Sequence, residues 1–135
     1  MGSVNIGLVG AGTVGGGVVK ILNRQIAFFN SALGLPVWLK RIVDKRRQLF
    51  GALPTGEAIC SENFEDILND DSIQIVVELV GGTTFARTVI IESLKRGKHV
   101  VTANKALIAE YGPDIFSAAD ENNVSVYFEA AVGGG

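Results

Sequence analysis

The sequence predicts one α/β domain built on a doubly wound parallel sheet, and three observations carry that expectation. Short apolar segments of strand length alternate along the chain with longer stretches of helical periodicity, the order expected of parallel strands joined by crossover helices. The segment Ile73-Gln74-Ile75-Val76-Val77-Glu78-Leu79-Val80 is nearly continuous in β-branched and aliphatic residues, as strands buried on both faces are. A glycine-rich turn, Gly10-Ala11-Gly12-Thr13-Val14-Gly15, stands between the first predicted strand and the first predicted helix.

Taken in order, Val4 to Val9 reads as the first buried strand. Thr13 to Asn30 predicts a helix, because Val14, Val18, Ile21, Leu22 and Ile26 recur on one face. Gly34-Leu35-Pro36 breaks it. Val37 to Val43 is the second strand, with Asp44 at its end, and a polar, irregular passage is expected through about Ser61. Asn63 to Asn69 predicts a short helix, and Ile73 to Val80 the third strand. Thr83 to Arg96 predicts a helix with Thr83 or Thr84 as N-cap and Gly97 as its stop. Lys98 to Thr102 is the fourth strand. Two helices follow, Asn104 to Glu110 and Pro113 to Asn122, the second with proline in its first turn. Val124 to Phe128 is the fifth strand. Residues 1–135 carry no repeat, low-complexity tract or internal linker, so they are expected to form a single domain.

Composition narrows the function classes. The 135 residues suit one domain with its own core. At 47% hydrophobic and 19% charged, the chain is not of disordered type. Twelve Lys and Arg against 14 Asp and Glu give a net charge of −2, which argues against a general nucleic-acid binder. Cys60 has no second cysteine to pair with, which points to a reducing, cytoplasmic setting. The apolar runs are too short for a membrane helix, and strand-like sequence begins at Val4, so neither a span nor a signal peptide is expected. Glycines cluster at Gly10 to Gly17, at Gly81-Gly82 and at Gly133-Gly134-Gly135; ending on the third cluster suggests that the parent protein continues.

The first cluster matches G-x-G-x-x-G in the context that gives the pattern meaning, a strand before it and a helix after it. Gly10 permits the tight turn, Gly12 lets a pyrophosphate approach bare backbone, and Gly15 lets helix pack on strand. Amides near Thr13 and Val14, with Ala11 between the glycines, would face the phosphates at the positive end of a helix dipole. The expected architecture is thus Rossmann-like, with NAD or NADP as cofactor. Asp44, at the end of the second strand, is placed to bond both ribose hydroxyls and favour NAD. Lys45, Arg46 and Arg47 follow it, and a guanidinium such as that of Arg46 suits the 2′-phosphate of NADP. The expectation leans to NADP with NAD also accepted; a solvated basic loop is the alternative.

Gly81-Gly82 closes the third strand, where backbone can sit against the nicotinamide ribose. Glu78 in the same strand is either buried and paired or facing the cleft. After the fourth strand, Asn104 and Lys105 reach the mouth of the sheet, where an ammonium could hold a substrate oxygen or relay a proton. A plain exposed lysine opening a helix is the alternative. His99, the single histidine, lies at the far end of its strand and is expected to be structural or exposed. No zinc spacing and no nucleophilic triad is present.

Four segments together resemble homoserine dehydrogenase: Ile6 to Gly15, Glu78-Leu79-Val80-Gly81-Gly82, Val101-Thr102-Ala103-Asn104-Lys105-Ala106, and Phe128-Glu129-Ala130-Ala131-Val132-Gly133-Gly134-Gly135. The resemblance covers essentially the whole chain but only the family's amino-terminal NAD(P)-binding part. The last two segments are the more specific, since many dehydrogenases share the glycine turn. The resemblance implies reversible NAD(P)-dependent interconversion of L-homoserine and L-aspartate 4-semialdehyde, on the route to threonine, methionine and isoleucine. It implies that Gly10 to Gly15 hold the pyrophosphate, that Gly81 and Gly82 line the nicotinamide side, and that Lys105 is catalytic beside the cofactor and the reacting oxygen. Glu129, Val132 and Gly134 would match the family's monovalent-cation site for Na+ or K+, made of a carboxylate and backbone carbonyls.

The family's substrate and dimerisation region is missing from these residues. With it go acidic substrate-binding residues, a second catalytic lysine and one further cation-binding carbonyl. The full-length protein is expected to be a cytoplasmic homo-oligomer acting on a small molecule, and the 135-residue chain alone to bind cofactor weakly with little turnover. Two rivals are another amino-acid dehydrogenase with a similar first domain, such as an aspartate dehydrogenase, and a non-catalytic nucleotide-binding module.

Overall fold

The computed structural model describes residues 3–12, 34, 36–52 and 56–128. The predicted helix from Thr13 to Asn30 and the expected cation residues Glu129, Val132 and Gly134 lie outside the described residues. The described elements are β1 (Val4–Val9), β2 (Val37–Val43), a 3₁₀ segment (Arg47–Ala52), β3 (Ile59–Ser61), α1 (Glu65–Leu68), β4 (Ile73–Glu78), α2 (Thr84–Lys95), β5 (His99–Thr102), α3 (Lys105–Glu121) and β6 (Val126–Phe128).

The strands form one six-stranded sheet in the order β3-β2-β1-β4-β5-β6, with every pair parallel. All strand carboxyl ends therefore point to one side. The order reverses between β1 and β4, the switch point at which open α/β sheets hold ligands. One face of the sheet packs the main core, where Val9, Val76 and Val100 meet Ile67 of α1, Val89, Ile90 and Leu94 of α2, and Leu107 and Ile115 of α3. The opposite face carries a second cluster of Ile6, Leu8, Ala11, Val37, Ile42 and Val77. Two apolar faces explain why β1 and β4 are largely apolar on both sides.

Among the described residues the expected strands and helices are present, with three main corrections. First, the passage before Ser61 is not wholly irregular, because it contains β3, paired with β2 through Arg41–Ile59, Ile42–Cys60 and Val43–Ser61. Three residues are too few for a two-residue period to show in sequence. Second, the expected break between Glu110 and Pro113 is absent, and α3 runs continuously through Pro113. The buried positions Leu107, Gly112, Ile115, Ala118 and Ala119 span both halves. Their burial outweighs the one backbone bond that proline forfeits, and Gly112 has no side chain to crowd the ring. Third, β4 ends at Glu78, two residues short of the expected Val80.

Helix ends follow local chemistry. Gly97 takes φ +75° after α2, its N–H donating to Leu94 and that of Lys98 to Ser93, which completes a Schellman cap. Asn123, at φ 55°, does the same after α3, with Val124 N–H donating to Ala119. At the amino end of the sheet, buried Lys98 donates to the carbonyls of Asp70 (2.8 Å) and Ile73 (2.9 Å). Asp70 also takes ion pairs from Lys40 and Arg41, both at 2.8 Å. His99 is structural as expected, its Nδ1 accepting from Ser125 N–H at 3.0 Å.

Candidate functional site

Two adjoining cavities open at the carboxyl ends of the strands. The first, about 500 Å³, is lined by Gly10 and Gly12 after β1, Asp44, Lys45 and Arg46 after β2, Val80 and Gly81 after β4, and Phe85 of α2. The second, about 320 Å³, is lined by Glu78, Leu79, Val80, Gly81, Gly82, Ala103, Asn104 and Lys105. They share Leu79, Val80 and Gly81, so the structure brings the first glycines, Asp44, Arg46, the second glycine pair and Lys105 to one cleft across the switch point. Thr13, Val14 and Gly15 lie outside the described residues. A larger groove of about 560 Å³ is lined by residues of α2 and α3 alone, with no strand end or glycine turn.

Gly10 is set by its neighbours. Its φ is +101°, and a Cβ there would lie 2.7 Å from the Leu79 carbonyl oxygen. The turn is pinned on both sides, Gly10 N–H donating to Val43 and Leu79 N–H to Val9, each at 2.9 Å. Gly12 differs: among the described residues, the atoms nearest a Cβ there belong to the Arg46 guanidinium, with Nη2 3.1 Å away. Backbone therefore excludes a side chain at Gly10, and at Gly12 the space is held by a movable cation.

Asp44 is buried and ties three parts of the site together. Its Oδ2 accepts from Ala11 N–H (2.8 Å) and Arg46 Nη2 (2.9 Å). Its Oδ1 accepts from Arg46 N–H (2.8 Å) and Nε (3.0 Å). Burial works to raise the Asp44 carboxyl, but the bonds from Arg46 and from the Ala11 and Arg46 amides prevail and hold its pKa at about 2. Both oxygens that sequence reasoning reserved for a ribose diol are thus occupied by Arg46 and the turn itself. Ala11 is buried, and its amide faces Asp44. Arg46 keeps 58% of its side chain exposed, facing the cleft over Gly12.

At the other end, Glu78 resolves as buried and paired, only 1% exposed. Its Oε1 accepts from Thr102 Oγ1 (2.6 Å) and its Oε2 from Val80 N–H (2.7 Å). Burial pushes the Glu78 carboxyl up, and these two donors offset only part of that rise. Asn104 caps α3, its side-chain oxygen accepting from Leu107 N–H at 3.0 Å. Lys105 is the first residue of α3 and is exposed.

Sequence reasoning missed Thr102 and Phe85 as site residues. Phe85 stands edge-on to Phe64, with ring centroids 6.1 Å apart, and Lys45 Nζ lies 5.9 Å from its ring. Position after Gly81-Gly82 was the available signal for Phe85, and the hydroxyl one step before Ala103-Asn104-Lys105 was the signal for Thr102. Among the described residues, no cluster of His, Cys, Asp and Glu could hold a metal ion, and no helix is long and apolar enough to cross a membrane.

Comparison with known proteins agrees with this geometry. Residues 10–129 match the family model for homoserine dehydrogenase, NAD binding domain. The chain is 41% identical over its full length to homoserine dehydrogenase of Neisseria gonorrhoeae, covering 31% of that protein. With 98% of its length it is 46% identical to the Synechocystis homoserine dehydrogenase, covering 30% of it. The crystal structure of a homoserine dehydrogenase from Thiobacillus denitrificans superposes with a TM-score of 0.87 at 40% identity, over 96% of this chain and 30% of that one. The chain thus spans about a third of the length of these relatives.

Proposed function

Because this chain belongs to the family of homoserine dehydrogenase NAD-binding domains, we propose that it holds the dinucleotide for oxidation of L-homoserine to L-aspartate 4-semialdehyde and the reverse reduction. One observation carries the reading: a single cleft at the strand switch runs from the Gly10–Gly12 turn, beneath a solvent-facing guanidinium, to Lys105. The residues suit a nicotinamide dinucleotide. Gly12 offers bare backbone with a cation above it, which is phosphate chemistry. Among the described residues, nothing lies within 4 Å of where a Cβ would stand on Gly81 or Gly82, leaving room for a ribose. Val43, Val80 and Phe85 supply an apolar wall for a base.

In this reading Gly10, Ala11, Gly12, Thr13, Val14 and Gly15 form the pyrophosphate turn. Arg46 takes a 2′-phosphate, so NADP is preferred and NAD also used, with Asp44 holding the guanidinium in place. When bound, the nicotinamide supplies the hydride acceptor for the alcohol carbon, or the hydride donor in reverse. The Lys105 ammonium holds the substrate oxygen by a hydrogen bond and, in the reduction, gives it a proton that solvent then restores. Orientation and electrostatic polarisation supply most of the rate enhancement.

Glu129, Val132 and Gly134 form part of a Na+ or K+ site, and the full-length enzyme is a cytoplasmic homo-oligomer. Calorimetric titration of the chain with NAD+, NADP+ and their reduced forms tests the binding claim. Binding with little or no homoserine turnover by the 135 residues is expected. Silence toward all four nucleotides overturns the reading, and robust turnover overturns the claim that substrate groups lie outside this domain.

A further inference from the structure

Glu78, Thr102 and Asn104 form one directed chain of hydrogen bonds beneath the cleft floor. Asn104 N–H donates to Thr102 Oγ1 at 3.0 Å, which leaves the Thr102 hydroxyl proton for Glu78 Oε1 at 2.6 Å. Glu78 Oε2 accepts from Val80 N–H at 2.7 Å, so the carboxylate ends the chain as acceptor on both oxygens. Asn104 is held at two further points, its Nδ2 donating to the Gly82 carbonyl at 2.7 Å and its Oδ1 accepting from Leu107 N–H at 3.0 Å. Five links thereby join the end of β4, the Gly81-Gly82 turn, the end of β5 and the first turn of α3.

We propose that this Glu78–Thr102–Asn104 chain positions Lys105 against the Gly81-Gly82 turn and so sets its reach into the cleft. The inference rests on the reading of Lys105 given above. A lysine on a flexible four-carbon stem is aimed by the backbone that carries it. Here that backbone begins at Asn104, and Asn104 is tied to the same glycine turn that lines the cleft. A carboxylate suits the terminal position because two donors converge on it. A glutamine offers only one acceptor oxygen, so one of those donors would be left without a partner. Thr102 and Glu78 are each 1% exposed and act through Asn104, so they are positioning residues rather than catalytic ones.

The test is a mutant cycle in a full-length homoserine dehydrogenase carrying this domain. T102V keeps the shape and removes the hydroxyl, T102S keeps the hydroxyl, and K105A removes the ammonium. T102V should lower kcat at least ~10-fold while leaving KM for dinucleotide and homoserine within ~3-fold. T102S should recover most of that loss. In the K105A background, T102V should change kcat less than ~2-fold, because both changes remove the same contribution. A T102V enzyme with wild-type kcat, or an equal loss with and without Lys105, overturns the positioning role alone. Wild-type kcat in K105A by itself overturns the Lys105 assignment and this inference with it. Should T102V not fold, E78Q carries the same cycle with the same expected outcomes.

Discussion

Two glycines two residues apart should fail in opposite ways when given a methyl group. At Gly10 an added Cβ would stand 2.7 Å from the Leu79 oxygen and 2.8 Å from its carbonyl carbon, at φ +101°. A comfortable carbon–oxygen contact is about 3.3 Å, so the end of β4 must retreat by roughly 0.6 Å. That movement strains Leu79 N–H to Val9 and Gly10 N–H to Val43, both now 2.9 Å. Weakening them costs ~0.5–1.5 kcal/mol each, and the backbone conformation costs a further ~1–2 kcal/mol for any L residue. G10A should therefore lose about 2–5 kcal/mol, a large share of the 5–15 kcal/mol typical of a domain. In urea the midpoint should fall by roughly 1–3 M. Among the described residues, G12A first meets the movable end of Arg46, at 3.1 Å, and should stay within ~0.5 kcal/mol of the parent. Its cost should appear instead in NADP+ affinity, by at least ~30-fold, because the methyl fills the phosphate approach. Urea unfolding followed by circular dichroism and calorimetric titration read the two effects separately. A G10A midpoint within about half a molar unit of the parent refutes the packing argument. Parental dinucleotide affinity in G12A refutes the phosphate argument.

Two further predictions concern the residues around Asp44. R46A should weaken NADP+ binding at least ~10-fold, while NAD+ binding stays within ~3-fold or tightens as both Asp44 oxygens become free for a ribose diol; a strong NAD+ preference in the parent that R46A leaves unchanged would defeat the 2′-phosphate role. The Asp44 pKa of about 2 lies below the unfolded carboxylate value of ~3.9, so its contribution is complete above pH ~4 and fades as pH falls through about 2. Because its partner Arg46 faces solvent, that contribution is about 1–2 kcal/mol rather than the full shift. Denaturant stability measured from pH 6 to pH 2 should fall more steeply in the parent than in D44N, and identical slopes would contradict the pairing.

The sequence by itself determined the class of fold, the glycine turn and most strand and helix positions, because each is written in local rules of period, capping and backbone freedom. Gly97 and Asn104 were readable as helix boundaries for the same reason. Tertiary structure alone decided what depends on partners distant in the chain. Strand β3 exists because β2 offers it an edge. Helix α3 passes through Pro113 because burial along one face outweighs a single lost bond. Glu78 could be placed in a strand by sequence but not assigned a role, since Thr102 lies 24 residues away. Asp44 looked poised for a ribose, and only the folded chain brings it onto Ala11, 33 residues earlier, beneath Arg46. Local preference acts between neighbours a few residues apart, whereas the sheet brings the ends of distant strands within hydrogen-bond reach, and the chemistry of this cleft is assembled there.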